Sequence, residues 1–326
     1  TSGLFVSAVS WAIASAALPR LAAHAGLNRK QMLTAVTTFQ ILNPASVFFA
    51  GLYSEAMYAA LTWWALVFSL DGSTDPTSIW WQMPLSTLLF GFASLTRMNG
   101  CFNVVIIACF LLQDVLMFRK HIRSNNLSTC LSAPLLRTVW RLAWNMTSVA
   151  VCVLPVFVLD YGVDEQGLSR TYSGLQAKFW GVGFLSQYQF RQMPNFCIAA
   201  PTVALVVWGI LSMHRRNQLS WASFKDAAWS PEHIFAAHSV VLTVVVLLFA
   251  HVQIIARVLT AASPWLFFVL GRSPGMSGIV DAANRGFMQL CSWLYSNVGL
   301  HRPVLLYATV YAVVGTVLHA NNFPIT

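Results

Sequence analysis

Ile234-Phe-Ala-Ala-His-Ser-Val-Val-Leu-Thr-Val-Val-Val-Leu-Leu-Phe-Ala-His-Val252 runs nineteen residues without an Asp, Glu, Lys or Arg. Roughly 20 apolar residues carry an α-helix across the hydrocarbon of a bilayer. The run shows no period-two alternation, so it does not read as a barrel strand, whose lumen-facing positions would be polar. In lipid a lone segment satisfies its backbone only as a helix. Comparable runs recur at 4–19, 32–48, 55–70, 82–96, 101–117, 141–159, 195–213, 256–271 and 303–320. The expectation is an all-α polytopic membrane helix bundle of about ten spans, forming one transmembrane domain over residues 1–326. Asn43-Pro44 is expected to end the second span, because proline disfavours helix at the residue before it.

Composition agrees. Apolar residues are 57% of the 326, charged residues only 9%, and the mean hydropathy is +0.64. A soluble domain carries roughly 25% charged residues, so this chain lacks the charge to wet a soluble surface. Thirteen Trp and 22 Phe suit helices anchored at bilayer interfaces.

The net charge of +9 is explained by sidedness, and no nucleic-acid partner is expected. If 20–31, 71–81, 118–141, 214–233 and 272–302 share one side, they hold fourteen of the 19 Lys and Arg. The positive-inside rule makes that side cytosolic. The other side keeps Arg97, Arg170, Lys178, Arg191 and Arg257. The loop 71–81 has no basic residue and contributes nothing to this bias. The six Cys (101, 109, 130, 152, 197, 291) form no CxxC pair and read as small buried hydrophobes. The chain enters an apolar run almost at once, with no basic leader and no signal-cleavage pattern. It is therefore expected to be an N-terminally truncated piece of a longer protein.

The unusual polar residues gather on the side poor in basic residues. Glu55, in Tyr53-Ser54-Glu55, reads either as a helix N-terminal acid favoured by the macrodipole, with Ser54 as cap, or as a carboxylate facing substrate. In Thr96-Arg97-Met98-Asn99-Gly100, a tight turn accounts for Asn99-Gly100 but not for Arg97. Arginine is suited to holding a phosphate through two parallel hydrogen bonds. In His251-Val-Gln253-Ile-Ile-Ala-Arg257, helical spacing puts Gln253 and Arg257 on one face, where Arg257 either snorkels at a helix end or binds an anion. His251 reads as a hydrogen-bonded structural histidine or a base. Phe179-Trp180-Gly-Val-Gly-Phe184 and Arg191-Gln192-Met-Pro-Asn195 suit an interfacial helix or sugar stacking. The chain has no DxD, HExxH, P-loop, GxGxxG after a strand, or GxSxG. The paired carboxylates of a metal–nucleotide-sugar site are missing, and no metal or cofactor is expected.

At these residues the sequence resembles the PIG-V family of GPI mannosyltransferases. The matching stretches are Asn43-Pro-Ala-Ser-Val-Phe-Phe-Ala-Gly-Leu-Tyr-Ser-Glu-Ala56, Arg97-Met-Asn-Gly100, Phe179-Trp-Gly-Val-Gly-Phe-Leu185, Gln192-Met-Pro-Asn-Phe196 running to Ala199-Ala-Pro201, His251-Val-Gln253 with Arg257, and Leu318-His-Ala-Asn-Asn-Phe-Pro324. They follow the family's order and spread over nearly the whole chain. The resemblance implies a multi-pass enzyme of the endoplasmic-reticulum membrane with a GT-C-like fold. Such an enzyme transfers the second mannose, in α1,6 linkage, from dolichol-phosphate-mannose to the GPI-anchor precursor on the luminal face.

The implied partners are this lipid-linked donor, the GPI precursor and an accessory membrane subunit. Substrate contacts are implied for Asn43, Tyr53, Arg97, Asn99, Trp180, Gln192, Asn195, His251, Gln253 and Arg257. The family's catalytic carboxylate is expected in a first luminal loop with a Trp-Asp motif, upstream of Thr1. Glu55 is the candidate carboxylate that this chain itself holds. Where relatives show Thr-Arg, this chain has Ala256-Arg257. Two other classes stay open: a non-catalytic membrane subunit of a glycosyltransferase complex, and a lipid transporter, whose mark would be inverted repeats.

The sidedness makes a direct expectation. Asn126-Leu-Ser128 is a glycosylation sequon on the cytosolic side and Asn145-Met-Thr147 lies within a span. Both should be bare in protein made by eukaryotic cells, and a glycan on Asn126 by mass spectrometry would reverse the orientation. The 326-residue chain alone is also expected not to rescue cells lacking the second GPI mannosyltransferase, whereas the chain extended upstream should rescue them.

Overall fold

A computed structural model of the chain describes residues 2–74, 77–124, 133–160, 183–216, 229–273, 276, 278–297 and five positions between 305 and 313. The described residues contain helices and no strand. In chain order the helices are α1 (Ser2–His24), α2 (Arg29–Ile41), α3 (Ser46–Ala50), α4 (Glu55–Thr74), α5 (Ile79–Thr96), α6 (Val104–Ser124) and α7 (Ala133–Asp160). After these come α8 (Met193–Arg215), α9 (Pro231–Phe249), α10 (Ile255–Ala262), α11 (Trp265–Gly271), α12 (Ile279–Asn284) and α13 (Phe287–Asn297).

Among the described residues, five helices are long and apolar enough to cross a membrane: Ser2–His24, Met98–Arg119, Leu135–Val158, Phe190–Arg215 and Pro231–Phe249. They cover the runs expected at 4–19, 101–117, 141–159, 195–213 and 234–252. The remaining runs depart from the expected ten. The run 32–48 is broken into α2 and α3, because the chain turns at Leu42–Ala45, where the side chain of Asn43 accepts the Ala45 N–H at 2.9 Å. The run 256–271 is broken into α10 and α11 at Ser263-Pro264, since proline cannot continue the ladder. The runs 55–70 and 82–96 are the single helices α4 and α5, of 20 and 18 residues, made less apolar by acids, Trp, Gln and hydroxyls. The last run, 303–320, lies almost wholly outside the described residues.

The core joins residues far apart in sequence. Phe39, Phe49, Trp63 and Phe267 are fully buried. Phe39 meets Phe49, Trp63 and Phe267 at centroid separations of 5.4, 4.9 and 5.0 Å, two of the three contacts edge-on. Each such pair contributes about 0.5–1.5 kcal/mol beyond area burial, and together they tie α2, α3, α4 and α11. Lipid tails give no hydrophobic force between helices, so small polar residues take a share of the contacts. Ser69 and Ser86 join α4 to α5 at 2.6 Å, and Thr87 and Ser148 join α5 to α7 at 2.7 Å. Asp114 on α6 accepts from Asn145 at 2.9 Å and pairs with Arg141 at 2.8 Å, both on α7. The small-buried-hydrophobe reading of the cysteines holds for Cys152. Cys101 and Cys109 are half-buried and Cys197 and Cys291 are exposed on their helices, so there the reading fails.

The segments read as one side of the membrane do meet at one end of the bundle. His24 contacts Asp71 at 2.7 Å, and Arg20 lies 3.7 Å from the same carboxylate. Arg272 donates to the Ala25 carbonyl at 3.0 Å and also pairs with Glu232, which Arg216 reaches at 3.0 Å. The Gly271 backbone packs so tightly on α2 that a Cβ would stand 2.6 Å from the Gln31 carbonyl oxygen.

Glu232 is buried and Asp71 is only half-buried. Removing one partner of a buried pair costs about 3–5 kcal/mol, whereas exposed pairs contribute about 0–1 kcal/mol. Glu232→Ala should therefore lower the thermal midpoint of detergent-purified protein clearly and Asp71→Ala only slightly. Equal midpoints for the two variants would contradict the assignment of Glu232 as an anchor.

Candidate functional site

At the other end of the bundle, three of the residues singled out from sequence converge. Glu55, the first residue of α4, has a fully buried side chain. Arg97 reaches its Oε1 through Nη1 at 2.6 Å, and Arg257 donates its Nε to the same oxygen. The three lie 42 and 160 positions apart along the chain. One carboxylate therefore organises two guanidinium groups, and the cluster carries an excess of one positive charge. Oε2 of Glu55 is buried and has no hydrogen-bond partner.

Local structure explains each placement. Glu55 stands in the first turn of α4, where the unpaired N–H groups favour an anion. Arg97 ends α5 in an extended conformation (φ −148°, ψ 135°), which turns its side chain out of the helix ladder. A 3-10 turn over Met98–Asn103 follows. Gly100 is required in that turn: a Cβ there would lie 2.5 Å from Ser94 Cα and 2.7 Å from Ser94 N, backbone atoms that cannot yield. Arg97 Nη1 also donates to Ser54 Oγ at 3.3 Å, so Ser54 serves the arginine.

Arg257 sits in the first turn of α10, which packs on α4. Its guanidinium lies 4.4 Å from the Phe48 ring centroid and 5.1 Å from that of Tyr53. The rings of Phe48 and Tyr53 meet edge-on at 5.1 Å. An aromatic face attracts a guanidinium by about 0.5–2 kcal/mol, most when water is excluded. The turn at Asn43 presents these aromatics. Asn43 itself is buried and bonds its own loop, with its Nδ2 lacking a partner, so the structure gives it a shaping place in the site and no open face.

The other sequence candidates fall in different places. Asn99 lies in the 3-10 turn, and its carbonyl is 3.5 Å from the Tyr58 hydroxyl. Gln253 and Arg257 lie in two successive elements and not in one α-helix as spacing suggested. Val252–Ile254 form a 3-10 turn and α10 begins only at Ile255, so the α spacing does not reach back to Gln253. His251 precedes that turn and is half-buried. Gln192 and Asn195, at the entry of α8, bond each other, Asn195 Nδ2 donating to Gln192 Oε1. Trp180 lies outside the described residues, as do Asp164, Glu165 and Arg170.

Sequence reasoning missed Gln187. It is buried, donates to the Val246 and Leu247 carbonyls at 3.1 and 2.8 Å, and accepts the Val252 N–H. It thereby fastens the segment before α8 to the turn that leads into Arg257. Phe48 was also passed over as one more apolar residue of a span. The expected end of the second span at Asn43-Pro44 holds, and it sets Phe48 apart in the short helix α3.

Comparison with known proteins places the chain. GPI mannosyltransferase 2 of Drosophila melanogaster is 26% identical over 315 residues, covering 87% of this chain and 66% of that protein. GPI alpha-1,6-mannosyltransferase 2 of Homo sapiens is 27% identical over 280 residues, covering 70% of this chain and 52% of that protein. The enzyme of the same name from Cricetulus griseus is 26% identical, with 87% and 68% covered. The chain thus spans about half to two thirds of the length of these relatives. No solved structure matches it. The family described as Mannosyltransferase (PIG-V) matches over residues 1–326, its whole length, and the chain belongs to that family.

Proposed function

We propose that this chain is the greater part of a membrane α1,6-mannosyltransferase that moves the second mannose from dolichol-phosphate-mannose to a GPI-anchor precursor at the luminal face of the endoplasmic reticulum. The observation that carries the reading is the convergence of Arg97 and Arg257 on Glu55, at the end of the bundle where basic residues are scarce. Family membership and the relatives' names support the activity. In the reaction the bond from the mannose anomeric carbon to the phosphate oxygen breaks and a bond to an acceptor hydroxyl oxygen forms. The hydroxyl proton passes to a base and the electron pair stays on the leaving phosphate. Donors aimed at that phosphate stabilise the charge where it develops. Arg97 and Arg257, each partly exposed at 18% and 23%, take this role.

Glu55 serves the arginines. Its Oε1 already accepts from both guanidinium groups, and the whole side chain is buried away from an approaching hydroxyl. On this reading the base is a group other than Glu55. The partners are the two lipid substrates, with an accessory membrane subunit beside them. The architecture goes with a GT-C-like bundle in a single transmembrane domain, in which α4, α5 and the two broken helix pairs α2–α3 and α10–α11 also enter the bilayer, giving about ten crossings.

Two variants of the full-length enzyme test this. Arg257→Ala should lower mannosyl transfer in microsomes by about 10²-fold, the typical loss when one donor to a developing oxyanion is removed, while Arg170→Ala stays near wild type. Equal activity of the two would reject the role of Arg257. Glu55→Gln should raise KM for the lipid donor, because both arginines lose their anchor. A fall of about 10²–10⁴-fold in kcat with KM unchanged would instead mark Glu55 as the base.

A further inference from the structure

Between α5 and α7 runs a cavity of about 580 Å³ that opens sideways on the outer surface of the bundle. Leu88, Phe92, Leu95, Leu154 and Val158 form its walls, each more than half exposed. Arg97 closes one end and is the single charged residue among the described residues that line it. Thr87, at the other end, is occupied by Ser148. From Thr87 to Arg97 the groove follows ten residues of α5, about 15 Å at roughly 1.5 Å per residue. Gly91 lines its middle without a side chain, and a Cβ there would make only an ordinary contact with Val151 at 3.5 Å, so α5 adds no bulk to the groove at this point.

We propose that this groove seats the first isoprene units of a polyisoprenyl phosphate, with the phosphate at Arg97 and the chain leaving sideways into the bilayer. The inference rests on the reading of the chain as a user of a lipid-linked phosphosugar and adds the place of the lipid. Charge complementarity selects the occupant. A groove with apolar walls, one guanidinium at its end and an open flank fits a single hydrocarbon chain that ends in a phosphate. A phospholipid would bring two chains to Arg97, where a single furrow between α5 and α7 leads away. A second apolar cavity, along α8 between Phe196 and Leu211, has comparable size but no charged residue in its lining, and so offers nothing to a phosphate. Arg97 also links the groove to catalysis, because its Nη1 holds Glu55 and through Glu55 sets Arg257. Occupation of the groove thus brings the leaving phosphate within reach of both guanidinium groups.

The test is photolabelling of the full-length protein in phosphatidylcholine vesicles with a polyisoprenyl phosphate carrying a diazirine in the unit nearest the phosphate. Label should fall on peptides covering 87–98 and 151–158. Excess dolichyl phosphate should remove it and phosphatidic acid should not. Gly91→Trp and Leu154→Trp, which fill the groove, should lose most of the label and raise KM for the donor. Leu211→Trp, in the other cavity, should keep both. Wild-type label found mainly along α8, or displaced as well by phosphatidic acid, would overturn the assignment without relying on any variant. Groove label in an enzyme that transfers no mannose would sink the proposed activity and leave the lipid site standing. Mannosyl transfer with label elsewhere would sink the groove alone.

Discussion

The arrangement of this end of the bundle depends on one buried carboxylate oxygen. Glu55 Oε1 is shared by Arg97 and Arg257, which arrive from helices distant in sequence. Two guanidinium groups that close would repel each other in a low-dielectric setting. A single carboxylate between them removes that repulsion and still leaves an excess of one positive charge. The same oxygen therefore stabilises the fold, since it ties the start of α4 to the end of α5 and to α10, and leaves the pair able to take up one more anion. At the opposite end Glu232 joins Arg216 and Arg272 in a similar way. There the second arginine also bonds the Ala25 carbonyl and so closes a structural contact between helix ends.

The backbone features around Glu55 follow from the same need. Arg97 has to leave α5 sideways, so the helix stops in an extended residue and the next turn presses against it closely enough to require Gly100. Arg257 has to enter from a short helix and not from the middle of a long one. The break at Asn43-Pro44 precedes Phe48, which lies against Arg257, and the 3-10 turn before Ile255 leads into Arg257 itself. Irregular backbone at membrane depth is tolerated where it is buried in protein or lines a cavity.

The sequence revealed the helical membrane character because composition and run length alone decide it. It also singled out Glu55, Arg97 and Arg257, because a charge beside an apolar run is expensive enough to stand out. It did not reveal that the three meet, since separations of 42 and 160 residues leave no periodic trace. Nor could hydropathy distinguish a continuous helix from two short ones. In 32–48 and 256–271 the break depends on one proline and its neighbours, while the average over the window hardly changes. Gln187 was invisible for a different reason: its partners are backbone carbonyls, which any sequence supplies.

The central claim is that Arg97 and Arg257 act as one unit on one phosphate. A double-mutant cycle on dolichyl phosphate affinity, comparing Arg97→Ala, Arg257→Ala and the double variant in the full-length enzyme, measures this most directly. Groups that share a network show coupling of about 0.5–3 kcal/mol, whereas independent sites add to within about 0.3–0.5 kcal/mol. The account predicts a double variant little weaker than the more damaging single one. Affinity losses that simply add would mean that the two arginines contact different things, and the account would be wrong.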